Sequence, residues 1–163
     1  MSNEERLQWF YDQTLSMKND LFYFAYSILH SIPESEDAVS NAIIKAHTHI
    51  NHLRNKQSLK PWLFRIVRNE CYSIANSLRR TVPIDEDVAL HHESGSELKV
   101  DVEKALTQLP IEQREAITLY YVCGHSINEI AKISHVPSGT IKSRLSRARA
   151  ALKKFLGDDY YGA

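Results

Sequence analysis

The chain has 163 residues, room for one ordinary domain or two small ones, and 43% of them are apolar, enough to fold. Its 20 Lys/Arg balance 20 Asp/Glu, but residues 1–80 carry 10 basic and 8 acidic side chains, residues 81–103 carry 1 and 7, and residues 104–163 carry 9 and 5. Two mildly basic blocks around an acidic strip point to parts that bind a polyanion, whereas a polar Met1–Gln13, the absence of a long apolar run and two unclustered cysteines, Cys71 and Cys123, argue against a secreted, membrane-inserted or disulfide-built protein.

The spacing of Leu21, Phe24, Ala25, Ile28 and Leu29 predicts a helix over Leu15–Ser31. Pro33 interrupts, and Ser35 is placed to cap a second helix, Glu36–His49, with acids in its first turn. After a polar stretch, a long helix is predicted from about Leu59 to Arg80, with Ser58 as N-cap and Pro61 tolerated in the first turn. Its apolar face is Leu63, Val67, Ile74 and Leu78; Arg65, Arg68, Asn69, Tyr72 and Asn76 lie opposite. A basic, amide-bearing, aromatic face can hold an unstacked strand through phosphate contacts, base-edge hydrogen bonds and stacking. Glu70 is the one acid between Arg54 and Arg80 and projects close to the apolar stripe. Trp62 is read as core.

Thr81 to Val100 has little periodicity and reads as a tether. Helices resume at Val102–Leu109 and Glu112–Val122, the latter ended by Gly124. Ser126-x-x-Glu129 is a capping box for a short helix through Ile133. A turn leads to Ser138, read as the cap of a last helix to about Phe155. The predicted fold class is all-α: two small helical domains, residues 1–80 and 102–163, joined by an acidic linker at 81–101, the C-terminal domain a helix-turn-helix.

The last helix carries the sharpest signal. Ile141, Leu145, Ala148 and Leu152 form one stripe, against which Ile127, Ile130 and Ala131 of the preceding helix would pack. Ser143, Ser146, Arg147, Ala150 and Lys154 lie on the opposite face, with Lys142, Arg144, Arg149 and Lys153 on the flanks. Lys132 to Lys154 holds seven basic residues and no acid. Small side chains let a backbone approach the major groove, Arg can grip a guanine edge, and flanking cations meet phosphates.

Ala105-Leu106-x-x-Leu109-Pro110-x-x-x-Arg114, Glu129-Ile130-Ala131 and Gly139-Thr140-Ile141-Lys142-Ser143-Arg144-Leu145-x-Arg147-Ala148-Arg149 together resemble the C-terminal domain of the extracytoplasmic-function sigma factors of bacterial RNA polymerase. Phe24-Ala25-Tyr26-Ser27, Glu36-Asp37-Ala38-Val39 and Trp62-Leu63-Phe64-Arg65-Ile66-Val67-Arg68-Asn69 resemble the family's N-terminal domain. The resemblance implies a non-catalytic, cytoplasmic subunit that binds core RNA polymerase and promoter DNA, needs no cofactor or metal, and has an anti-sigma factor among its implied partners. It assigns −35 DNA binding to Lys142, Ser143, Ser146 and Arg147, to which the wheel adds the flanking Arg149 and Lys153. It implies −10 binding by the first domain, with the loop residues Arg54, Lys56 and Gln57 aligning with the segment that pockets a flipped base, and the wheel offers Arg65, Arg68, Asn69 and Tyr72 for the same strand. Core polymerase would meet Asp37, Val39, Asn41 and Ile44, although Ser40-Asn41 stand where the family often has Gln-Glu. The acidic linker would thread the polymerase's RNA exit path.

Two rivals follow from the residues alone. A conventional helix-turn-helix regulator would bind duplex DNA without polymerase and leaves the first block without a role. A metal enzyme on His47, His49, His52, His91 and His92 lacks a carboxylate at matching ligand spacing.

Overall fold

The structure, a computed structural model, describes residues 1–81 and 97–157, with the backbone alone at 79–81 and 97–100. The first helix, α1 (Asn3–Leu29), begins well before the predicted Leu15. A capping box starts it: the Ser2 hydroxyl accepts from the Glu5 amide, and the Glu5 carboxylate accepts from the Ser2 amide at 2.7 Å. Phe10, Thr14 and Met17 extend the buried stripe back to that cap. The helix ends on His30, a left-handed residue at φ 51° whose amide donates to Tyr26.

Pro33 does not separate helices; it sits in the first turn of α2 (Ile32–His49), where amides have no intrahelical partner. Ser31 is therefore the N-cap, and the predicted cap, Ser35, is buried with its hydroxyl donated to the Ser31 carbonyl. Two short 3-10 turns, Ile50–His52 and Lys56–Ser58, lead into α3 (Leu59–Thr81). Asn55 caps the second, so Ser58 closes that turn, its amide donating to the Asn55 carbonyl.

Helices α1, α2 and α3 pack around Leu21, Phe24, Ala38, Ala42, Leu63, Phe64 and Val67. Leu78, expected on the apolar face of α3, is 41% exposed; Cys71 is buried instead. Glu70 is buried beside it because Lys45 reaches across from α2 to pair with its carboxylate. That cross-helix pair explains an acid at the edge of an apolar stripe.

Residues 82–96 of the predicted linker lie outside the described residues. Residues 97–101 are helical, the start of α4 (Glu97–Gln108). The predicted helix Glu112–Val122 is α5 (Ile111–Ile117) followed by a π turn, Thr118–Val122. The wider turn brings the Cys123 amide to the Thr118 carbonyl at 3.0 Å and the His125 amide to the Leu119 carbonyl at 2.9 Å. Gly124, at φ 71°, ends it as expected. The capping box of Ser126 and Glu129 opens α6 (Ile127–Ser134) as read. His135, left-handed at φ 59°, makes the turn into α7 (Ser138–Leu156), where Pro137 holds the cap position and Ser138 is the first helical residue.

Helices α4 to α7 form a second bundle, with α7 packed against α4, α5 and α6. The bundles touch: α3 lies against α6, and α1 against α5 and the π turn. The described residues contain no strand, and none of their helices is long and apolar enough to cross a membrane.

Candidate nucleic-acid interface

In α7 the buried stripe is Ile141, Leu145, Ala148 and Leu152, seated on Ile130 and Ile133 of α6, with Ile127 and Ala131 half-buried beside them. A helix that buries one stripe must present the other. Lys142, Ser143, Ser146, Arg147, Arg149, Ala150, Lys153 and Lys154 are all exposed. The Ser143 hydroxyl donates to the Gly139 carbonyl at 3.1 Å, which leaves Arg147 as the long side chain at the centre of the face. Arg144, predicted on a flank, is half-buried with its guanidinium 3.8 Å from Glu112.

Arg149 is held in place. Its Nε donates to the Tyr121 hydroxyl at 2.7 Å, and its guanidinium lies 5.5 Å from the Tyr121 ring centre and 5.7 Å from that of Tyr120. Sequence reasoning missed Tyr121, since only the π turn carries it to the side of α7. Removing its hydroxyl in Tyr121→Phe is expected to weaken a duplex contact made by Arg149 by roughly two- to fivefold, measured by fluorescence anisotropy.

On the first bundle, Arg54, Lys56, Gln57 and Asn69 are exposed and Arg65 is half-buried. The Lys56 ammonium lies 5.1 Å over the Trp9 ring, and the Asn55 side chain accepts from the Gln57 amide. Trp62 packs against the core. Arg68 and Tyr72, predicted on the open face of α3, are half-buried, with Glu115 of α5 beside Arg68. Arg68 Nε lies 3.4 Å from the Glu115 carboxylate, and its guanidinium stacks 4.5 Å over the Tyr72 ring. Burial pushes the Glu115 carboxyl up, and Arg68 and Tyr72 hold it back.

Along α2, Asp37, Asn41 and Ile44 are exposed, Ile44 by 64%. Val39, expected to face a partner, is largely buried, because α2 turns that side toward α1. It lines a groove between the two helices together with Tyr11, Leu15, Lys18, Ser40 and Ile43. His47 Nδ1 bonds to the Tyr11 hydroxyl at 2.6 Å, and His49 Nδ1 to the Lys45 carbonyl at 2.8 Å. His49 and His52 do neighbour each other, their rings 5.6 Å apart, but the described residues contain no group of three His, Cys, Asp or Glu placed to hold a metal ion. His91 and His92 lie outside the described residues.

Two family models match the chain in order: sigma-70 region 2 over residues 15–81 and sigma-70 region 4 over residues 99–152. The ECF RNA polymerase sigma factor SigM of Mycobacterium tuberculosis is 35% identical over 130 residues, covering 76% of this chain; this chain spans 65% of that relative, just under two thirds. The ECF sigma factor EcfG of Rhodopseudomonas palustris is 33% identical over 152 residues, covering 89% of this chain and 83% of that one. Among solved structures, the sigma factor RpoE of Bartonella quintana, in complex with the anti-sigma factor NepR, is 37% identical with a TM-score of 0.78, covering 90% of this chain and 96% of that one. Matched along both bundles, the chain belongs to the ECF family of RNA polymerase sigma factors.

Proposed function

We propose that this chain binds core RNA polymerase in the cytoplasm and directs promoter recognition, DNA melting and transcription initiation, catalysing no reaction itself. The observation that carries the reading is the pairing, in one chain, of an exposed small-and-basic face on α7 with a basic, amide-bearing surface at Arg54–Gln57 and Asn69. The first suits duplex major groove; the second suits an unstacked strand. Residues 1–80 would carry polymerase binding and −10 capture, residues 102–163 the −35 contact, and residues 81–101 the tether between them. An anti-sigma partner, of the kind NepR is to the Bartonella protein, is the expected regulator.

Each DNA-facing surface is small and the whole chain has zero formal net charge. Specific affinity should therefore appear only when polymerase fixes both bundles at the right spacing, through effective concentration. The deciding experiment is run-off transcription with core polymerase and genomic fragments. Discrete start sites that depend on this chain support the reading. Nanomolar binding to an intact palindrome by the free protein at physiological salt overturns it in favour of a conventional regulator.

Polymerase contact is assigned to the exposed side of α2, Asp37, Asn41 and Ile44, with Val39 supporting it from beneath. Ser40→Gln with Asn41→Glu gives that side longer hydrogen-bonding groups and a charge. The double variant is expected to bind core polymerase a few-fold tighter, about 1 kcal/mol for a new charge-assisted bond, in competition with a second sigma factor. Weaker competition would mean that this part of α2 does not face the polymerase.

A further inference from the structure

The connection between α2 and α3, residues 50–58, carries the loop read as a −10 surface. Its backbone turns on itself: the Leu53 amide donates to the Ile50 carbonyl at 3.1 Å, and the Ser58 amide to the Asn55 carbonyl at 3.0 Å. Ile50 is buried and Leu53 packs against the core, while Arg54, Lys56 and Gln57 stay exposed.

The first half of α1 grips this connection at two points. Trp9, Phe10 and Tyr11 are consecutive, so about 100° of helix separates each from the next. Phe10 is wholly buried, which places Trp9 and Tyr11 on opposite sides of it. Tyr11 reaches the end of α2, its hydroxyl 2.6 Å from His47 Nδ1. Trp9, half-buried against the core, reaches the turn before α3, where the Lys56 ammonium lies 5.1 Å from its ring centre. One turn further along α1, Gln13, Ser16 and Asp20 face Lys56, Gln57 and Lys60 across a recess.

A carboxylate and an aromatic ring can both hold a lysine, with different results. A carboxylate cancels the charge that a phosphate needs. The face of an indole attracts the ammonium and leaves its charge in place. Among the described residues no carboxylate pairs with Lys56. A long, mobile side chain loses rotamer freedom when it takes a phosphate; one already held over a ring has lost part of that freedom before the strand arrives. We propose that Trp9 is a positioning residue for −10 strand capture: it holds Lys56, still charged, at the loop surface for a backbone phosphate of the melted strand. This rests on reading the loop as a −10 surface.

The test uses the full chain bound to core polymerase and the anisotropy of a fluorescent single-stranded −10 oligonucleotide over a range of salt concentrations. Trp9→Leu is expected to weaken binding by roughly two- to fivefold, the range for an exposed cation–π contact. Trp9→Phe keeps a weaker ring and should lose less. Lys56→Met should weaken binding and lower the salt dependence by roughly one counter-ion. In the Lys56→Met background, Trp9→Leu should then cost nothing more, because the contact it removes is already gone. If thermal melts show that Trp9→Leu does not fold, Trp9→Phe decides by the same comparison. Trp9 variants that bind the strand as the wild type does overturn the proposal. So does a loss that is equally large in the Lys56→Met background, since the ring then acts through packing alone. Lys56→Met by itself separates the two causes. If it weakens binding while the Trp9 variants fail the comparison, the positioning role falls and the −10 reading of the loop stands; if it leaves binding unchanged, both fall.

Discussion

Arg147→Ala is expected to lower initiation from the best promoters by roughly tenfold to a hundredfold, about 1–3 kcal/mol, and to relax preference at a single −35 base pair. The reason is positional. The back of α7 is fixed by the burial of Ile141, Leu145, Ala148 and Leu152, so the rotation of its front is fixed too. On that front Ser143 turns its hydroxyl back to the helix, and Ser146 and Ala150 are short. Arg147 is then the side chain long enough to reach a guanine edge with two donors, and its loss leaves that edge unpaired. Lys153→Ala is the contrast. From the flank it should weaken all sequences alike and reduce the salt dependence by roughly one counter-ion. The measurement is a −35 library transcribed with each variant. If Arg147→Ala lowers every promoter equally while Lys153→Ala changes the preferred base, the helix docks by its flank.

What could be read from the sequence followed from interactions within a few residues. The stripe of α7 is visible because burial repeats every three or four residues, and the Ser126–Glu129 capping box because both its hydrogen bonds span three residues. The same chemistry at Ser2–Glu5 was legible in principle. The polar stretch around it shows no apolar stripe until Phe10, Thr14 and Met17 are seen to be buried. Pro33 carries the opposite ambiguity, since a proline that ends one helix and a proline in the first turn of the next look alike in sequence. The contact between the two bundles was not legible at all. Ser27 with Arg114, Lys60 with Cys123, Phe64 with His125 and Arg68 with Glu115 are separated by 87, 63, 61 and 47 positions. Nothing in the periodicity of α3 tells whether its polar face meets water or a carboxylate from another bundle. A wheel gives the direction of a side chain and not its neighbour, so it puts Arg68 and Tyr72 on the polar face of α3 without showing the Glu115 carboxylate beside Arg68.

Acid is expected to weaken the fold between pH 7 and pH 5, through His30 where the two bundles meet, with His125 displaced in the same direction. His30 sits at the end of α1 with both ring nitrogens buried and without hydrogen-bond partners. Burial, and then the Arg114 guanidinium, push its pKa down to about 4. The groups that face it are Tyr23 and Tyr26 on α1, Glu103 on α4 and Arg114 on α5. His125 is lowered in the same way, by burial and by Lys60, with Glu129 and Asp20 pulling back. The His30 ring is neutral over this range in the folded chain, whereas in the unfolded chain it takes up a proton near 6.5; His125 is displaced in the same direction. The unfolded state therefore binds more protons in this range. The stability is complete above the ordinary histidine value and is lost as the pH falls below it, levelling off for His30 near its folded value of about 4. Glu115 works in the opposite sense, because burial raises its carboxyl and favours proton uptake in the folded chain. A variant comparison isolates the histidine. His30→Asn does not titrate, and asparagine tolerates the left-handed backbone found there. Between pH 7.5 and pH 5 the wild-type chain should lose about 1 kcal/mol more than this variant, after discounting for partial solvent contact, or roughly 2–4 °C in Tm by calorimetry. Parallel melting curves for the two proteins across that range would remove His30 as the acid-sensitive group and leave the effect to His125.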